Sequence, residues 1–323
     1  MKRIESRIGE SNGLASLPAG ILQLARYRFA ITWLICMLSL GSNALVADDA
    51  DPLVVVCSTT QIADFARQVV GDRWEVICVL GAGEDPHSYE VGNDDLMNVK
   101  KADLCLENGW NLEGYSWMSK LAETAGKPIA TCVDGVEPLM IDEDGESVKD
   151  PHAWFSIQNA MVYVTNIRNA VSKIDPEHAD EYEARAKLFQ LQLRTLNFWI
   201  QEQVNSIPKS RRILVTHHDA FGYFCSTYGF QAFSPVGWTT SELTDVTIDQ
   251  KQTIVNQIRE LGVKSIFVES SINSELLTDI AKEAGVEIGG ELYSDAMGES
   301  GSAGESYIGM MRENVLTIVS HLK

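Results

Sequence analysis

Between Pro176 and Pro208 the chain runs without a glycine or proline, and this stretch constrains the fold more than any other. Its apolar residues fall three and four positions apart, at Tyr182, Ala186, Phe189, Leu193, Leu196, Ile200 and Val204. That is the period of one helical face. Asp175-Pro176 breaks the preceding segment and opens the helix, since proline is tolerated in a first turn. At 1.5 Å per residue, the helix would be about 45 Å long. This is too long for one layer of an ordinary α/β domain, and it reads as a rigid strut between two lobes.

On both sides of the strut, short apolar runs alternate with helical patterns. "PLVVVCSTT", "WEVICVL", "ADLCLEN" and "KPIATCV" read as strands before it; "RRILVTH", "FQAFSPVG", "VKSIFVES" and "VEIGGELY" read as strands after it. Near-continuous apolar strands between helices indicate parallel sheets covered on both faces. Gly126, Gly262 and Gly285 sit where helices should end, as C-cap glycines do. The expected fold class is α/β: two similar lobes, each a mostly parallel four-stranded sheet flanked by helices, bridged by one long helix. The expected divisions are an N-terminal lobe over 48–175, the linking helix over 176–207 and a C-terminal lobe over 208–323.

Residues 1–47 differ from the rest. Arg26 and Arg28 precede the apolar run "FAITWLICMLSLG", which is followed by small residues. These are the three parts of a secretory signal, with cleavage expected near 44–47. The run is too short to span a bilayer comfortably. Trp33, Leu34 and Ile35 before Cys36 do not match the small residues that precede a lipid-bearing cysteine, so a free periplasmic protein is expected. The formal net charge of -19 argues against a nucleic-acid binder, which carries a basic face. Cys57, Cys78, Cys105, Cys132 and Cys225 form no Cys-x-x-Cys pair and read as buried thiols.

Five polar residues stand out, in four stretches. His87, in "GAGEDPHSYE", follows the second strand; His152 lies in "KDPHAWF"; His217 and His218 end a strand in "THHDAFGYF"; Asp295, in "LYSDAMG", follows the last strand. In parallel α/β folds, ligands collect outside the carboxyl ends of strands. Two groups from each half could therefore meet in a shared cleft as a tetrahedral metal site. Adjacent strand-end side chains point apart, so at most one of His217 and His218 should reach it. His178 and His321 read as surface histidines.

These four stretches and "VKSIFVESSINSELLTDIAKEAG", five in all in this order and spacing, resemble the metal-specific solute-binding proteins of bacterial ABC uptake systems. The resemblance runs from about Pro52 to the C-terminus. It implies two α/β lobes bridged by a long helix, with the metal at their interface. It places the ligands on His87, His152, His218 and Asp295; beside them His217 is expected to be hydrogen-bonded or packed at the cleft edge, and Asp219 to cap the helix that begins there or to hold an imidazole in its tautomer. It also implies a membrane permease of the ABC type as partner, with the protein itself a monomer. The chain lacks the His-rich loop common in zinc-type members, and Trp238 stands where members often have small or polar residues.

Three imidazoles and one carboxylate suit Zn2+, the expected cargo, with Mn2+ and Fe2+ as alternatives should Asp295 bind through both oxygens. No P-loop is present, so the energy for transport must come from the partner. Two other classes stand beside this reading. A zinc hydrolase, with Asp219 as its best base, would need an open coordination position that four protein ligands do not leave. A binding protein for a metal chelate would not need four converging ligands.

Overall fold

The structure is a computed structural model, and it describes residues 51–143, 145–234 and 247–323. The expected signal segment, Cys36 and Trp238 lie outside the described residues. The first half is built on a parallel sheet of β1 (Leu53–Cys57), β2 (Trp74–Cys78), β3 (Leu104–Glu107) and β4 (Ile129–Thr131), in the order β2-β1-β3-β4. Both faces are covered, which explains the continuous apolar runs. Val55 and Cys57 face the main core, whereas Val56 and Cys105 face a second cluster. That cluster is completed by α2 (Asn93–Lys101), through Val99, and α3 (Trp117–Ala125), through Met118 and Leu121. Helix α2 was not anticipated from sequence. It is short and polar and buries only Asp95 and Val99.

The main core lies where α1 (Thr60–Val70), α4 (Ile157–Ile174), α5 (Ala179–Asn205) and α9 (Tyr307–Leu322) pack together. Helix α5 is the strut, and its seven expected apolar positions are its buried ones. Phe65 of α1 sits at the junction. Its ring meets Tyr307 at 4.7 Å, Phe189 at 5.9 Å and Tyr163 at 6.1 Å, edge-on and tilted arrangements that suit aromatic quadrupoles. An antiparallel hairpin of β5 (Met140–Glu143) and β6 (Glu146–Lys149) precedes α4.

The second half contains β7 (Ile213–Val215), α6 (Gly222–Tyr228), β8 (Gln231–Phe233), α7 (Ile248–Leu261), β9 (Ser265–Glu269), α8 (Glu275–Ala284) and β10 (Glu287–Leu292). Helices α7 and α8 end on Gly262 and Gly285, both in the left-handed region at φ 65° and 75°. The fold is bilobal α/β with a long bridging helix, but its second lobe departs from the expected symmetry. Among the described residues, β7 pairs with β8 and β9 with β10, both parallel, as two separate ladders. Where β7 runs beside β9, the backbone N–H groups of His217 and His218 donate to the Glu269 side chain, at 2.8 and 3.1 Å. The Glu269 carboxylate thus ties the end of β9 to the chain just past β7.

Candidate metal centre

Each of the four expected ligands follows a regular element and is fixed by its surroundings. His87 lies in the turn after β2. The Pro86 carbonyl before it accepts from the Trp117 indole at 2.9 Å and from the Gly114 N–H at 3.3 Å. The Cα of Gly114 is so close to the His87 carbonyl that any Cβ there would collide with it. His152 precedes the helical turn Ala153–Phe155 that leads into α4. Asp150 Oδ1 accepts its backbone N–H at 2.9 Å and lies 2.8 Å from its Nδ1. His218 follows β7, and Asp295 follows β10.

One ligand atom from each of His87, His152, His218 and Asp295 lies within 4.8 Å of the others, and all four residues are buried. Nε2 of His87 and Nε2 of His152 are 3.2 Å apart. Asp295 offers both oxygens: Oδ1 is 3.4 Å from His152 Nε2 and Oδ2 is 3.1 Å from His218 Nε2. His218 Nε2 and both Asp295 oxygens are buried, and among the described residues they face only one another and His152. Such groups are costly unless something else satisfies them. Lone pairs converging on one point, from imidazole and carboxylate, suit a divalent cation.

Two carboxylates stand behind the imidazoles. Asp150 backs His152, and Glu269 Oε2 lies 2.6 Å from His218 Nδ1. Such partners fix the imidazole tautomer and raise its donor strength. The electrostatics follow. Burial lowers His152, but its hydrogen bonds to Asp150 and Asp295 outweigh this and raise it to about 9. His218 is likewise raised well above its usual value, with Glu269 and Asp295 outweighing burial. Burial drives His87 down to about 4, with Asp295 opposing and His152 adding to the fall. Burial alone would raise Asp295, yet His218 and His152 hold it well below the carboxylate range.

A third buried carboxyl, Glu113, ties the site to the first sheet. It accepts from the Ser58 hydroxyl at 2.6 Å and from the Asn108 and Gly109 N–H groups at 2.7 and 3.2 Å. Asn108 in turn donates to the Pro151 carbonyl beside His152 at 3.0 Å. Burial raises Glu113 to about 7 against these bonds.

His217 and Asp219 are placed differently. His217 is 1% exposed, and among the described residues neither ring nitrogen has a hydrogen-bond partner. Asp219 opens the turn Asp219–Phe221 and bonds Ser234. The carboxylates behind the His152 and His218 imidazoles are instead Asp150 and Glu269. Their sequence signals were an acid two residues before His152 and an acid closing an apolar strand.

Residues 55–321 match the family model described as ZnuA, zinc-uptake complex component A, periplasmic. The chain belongs to the metal-specific solute-binding proteins of bacterial ABC uptake systems. Members are transport-associated binding proteins and not enzymes, so this chain binds a divalent metal ion as cargo for an ABC permease. The manganese-binding lipoprotein MntA of Bacillus subtilis is 37% identical over 291 residues, covering 88% of this chain and 94% of the relative. The manganese-binding lipoprotein MntA of Halalkalibacterium halodurans is 35% identical over 279 residues, with coverages of 85% and 90%. Among solved structures, the periplasmic zinc-binding protein TroA of Treponema pallidum is 30% identical, with a TM-score of 0.77 over 84% of this chain and 99% of its own. The expectation of a free periplasmic form is corrected by the curated relatives, which are lipoproteins and so carry a membrane tether.

Proposed function

We propose that the chain captures manganese(II) through His87, His152, His218 and Asp295 and presents it to an ABC permease. The observation that carries the choice of ion is the orientation of Asp295, whose two oxygens face two different imidazoles at 3.4 and 3.1 Å. Two-oxygen binding raises the donor count to five and adds the hard oxygen character that manganese prefers. The manganese-binding relatives at 35% and 37% identity support the same ion. Zinc is the second reading, favoured by three imidazoles and by the zinc-binding TroA. In both readings the ion enters with neutral imidazoles and an ionised Asp295, and protons leave as it binds.

The chain acts from a membrane tether, as its lipoprotein relatives do. Cys36 is the one cysteine before Pro52 and is where a lipid would attach. The bulky residues before it depart from the usual lipid-attachment pattern. Membrane fractionation of Cys36→Ser separates a lipid from a retained apolar run.

The ion is tested by uptake and by loading. Cells lacking the protein should lose high-affinity manganese accumulation and keep zinc accumulation. Protein isolated from cells grown with both metals should carry manganese. Selective loss of zinc accumulation, with zinc in the isolated protein, would overturn the manganese reading.

A further inference from the structure

The Asp295 carboxylate faces only the imidazoles of His152 and His218, at 3.4 and 3.1 Å, the groups that would share a bound ion with it, so its aim depends on the backbone turn that carries it. That turn is gripped from the other half of the molecule. The Gln61 side-chain amide donates to the Ser294 carbonyl at 3.1 Å, and the Met297 N–H donates to Thr60 Oγ1 at 2.9 Å. The two bonds bracket Asp295 by one residue on one side and two on the other. The Thr60 hydroxyl proton is in turn donated to Gln61 Oε1 at 3.1 Å, so both side chains act as one unit. One turn along α1, Asp64 accepts the Tyr307 N–H at 2.9 Å. Both ends of the 294–307 segment are thereby fixed to one face of α1. From its own side, the turn is met by Ser271, whose hydroxyl lies 3.0 Å from that of Ser294. Gln61 is 1% exposed and Ser294 is fully buried, so water does not substitute for the bond between them; Thr60 is half-buried.

The geometry points to Thr60 and Gln61 as positioning residues for Asp295, a clasp by which the first lobe holds the ligand contributed by the second. This rests on the metal reading above. The clasp keeps the carboxylate aimed at the imidazole nitrogens. Without it, the carboxylate can swing off a bound ion, so release accelerates while capture changes little. Sequence gives no hint of this role, because Thr60 and Gln61 look like ordinary first-turn helix residues some 230 positions from Asp295.

The test measures metal release from the whole protein into excess EDTA, for Mn(II) and Zn(II) in parallel. The variants are Thr60→Val, which keeps shape but removes the hydroxyl, and Gln61→Met, which keeps length but removes the amide. Release should be about 10- to 100-fold faster in each, the range for losing an outer partner of a metal ligand. Thr60→Ser, which keeps the hydroxyl, should restore the wild-type rate. In an Asp295→Asn background the same substitutions should change release by less than about threefold, since the group they position is already altered. Equal fold-changes in both backgrounds, or unchanged release in the Asp295 protein, would overturn the clasp. Where Gln61→Met does not fold, Thr60→Val and its serine rescue decide the matter. Failure of the wild type to bind either ion would instead overturn the metal reading beneath it.

Discussion

Glu269 serves His218 twice: Oε1 accepts the His218 backbone N–H at 3.1 Å, and Oε2 lies 2.6 Å from the Nδ1 of the same residue. One carboxylate thus fixes both the strand end and the ring. Burial opposes its ionisation, but His218 outweighs this and keeps Glu269 below its usual value. Glu269→Gln preserves volume and removes the charge. It should weaken metal binding by about 10- to 100-fold, as read by competition with a chromophoric chelator. An unchanged affinity would remove Glu269 from the site's machinery.

The raised imidazoles set a pH dependence. His152 stands at about 9 and His218 well above 6.5, whereas His87 stands at about 4. At neutral pH, two of the three imidazoles carry protons that the metal must displace, so binding should release about two protons. The stability that these two imidazoliums give the metal-free fold is full below pH 6.5. It is lost as pH rises through the folded value, about 9 for His152. The thermal stabilisation conferred by added Mn(II) should therefore grow from pH 5.5 to pH 8 on the order of several degrees. A stabilisation that shrinks over that range would contradict the assignment.

Gly114 has no room for a side chain because the His87 carbonyl occupies the space. Gly114→Ala must displace the His87 loop, at a cost of about 1–3 kcal/mol. Metal affinity should fall at least about tenfold, with far-ultraviolet circular dichroism unchanged. Wild-type affinity would show that the loop adapts without moving His87.

Phe65 joins α1, α4, α5 and α9. Phe65→Ala should lower the unfolding free energy by about 3–5 kcal/mol, the cost of a cavity left by an aromatic core residue. Urea denaturation of the metal-free protein gives the value. A loss under about 1 kcal/mol would show that the strut is not keyed to α1.

Much of this molecule is legible in its sequence. The seven-residue apolar stripe of α5 gave its length and buried face. The strand-end positions of His87 and His218 brought them to one cleft, since side chains there leave the sheet at a common edge. What stayed hidden depends on distant contacts. In the second lobe β7 pairs with β8 and β9 with β10 as separate ladders, a partition that local periodicity cannot reveal. Asp150 and Glu269 are ordinary acids until folding places them 2.8 Å from His152 and 2.6 Å from His218. His217, expected as a neighbour of the site, is buried, and among the described residues its ring nitrogens have no hydrogen-bond partner.

The central claim is that His87, His152, His218 and Asp295 hold one divalent ion. Anomalous diffraction from crystals of the manganese-loaded protein, recorded on both sides of the manganese absorption edge, tests it most directly. The account predicts a single peak per chain, bonded to the three Nε2 atoms and to both Asp295 oxygens. A peak at any other side chains, or no peak in a folded, manganese-soaked crystal, would contradict it.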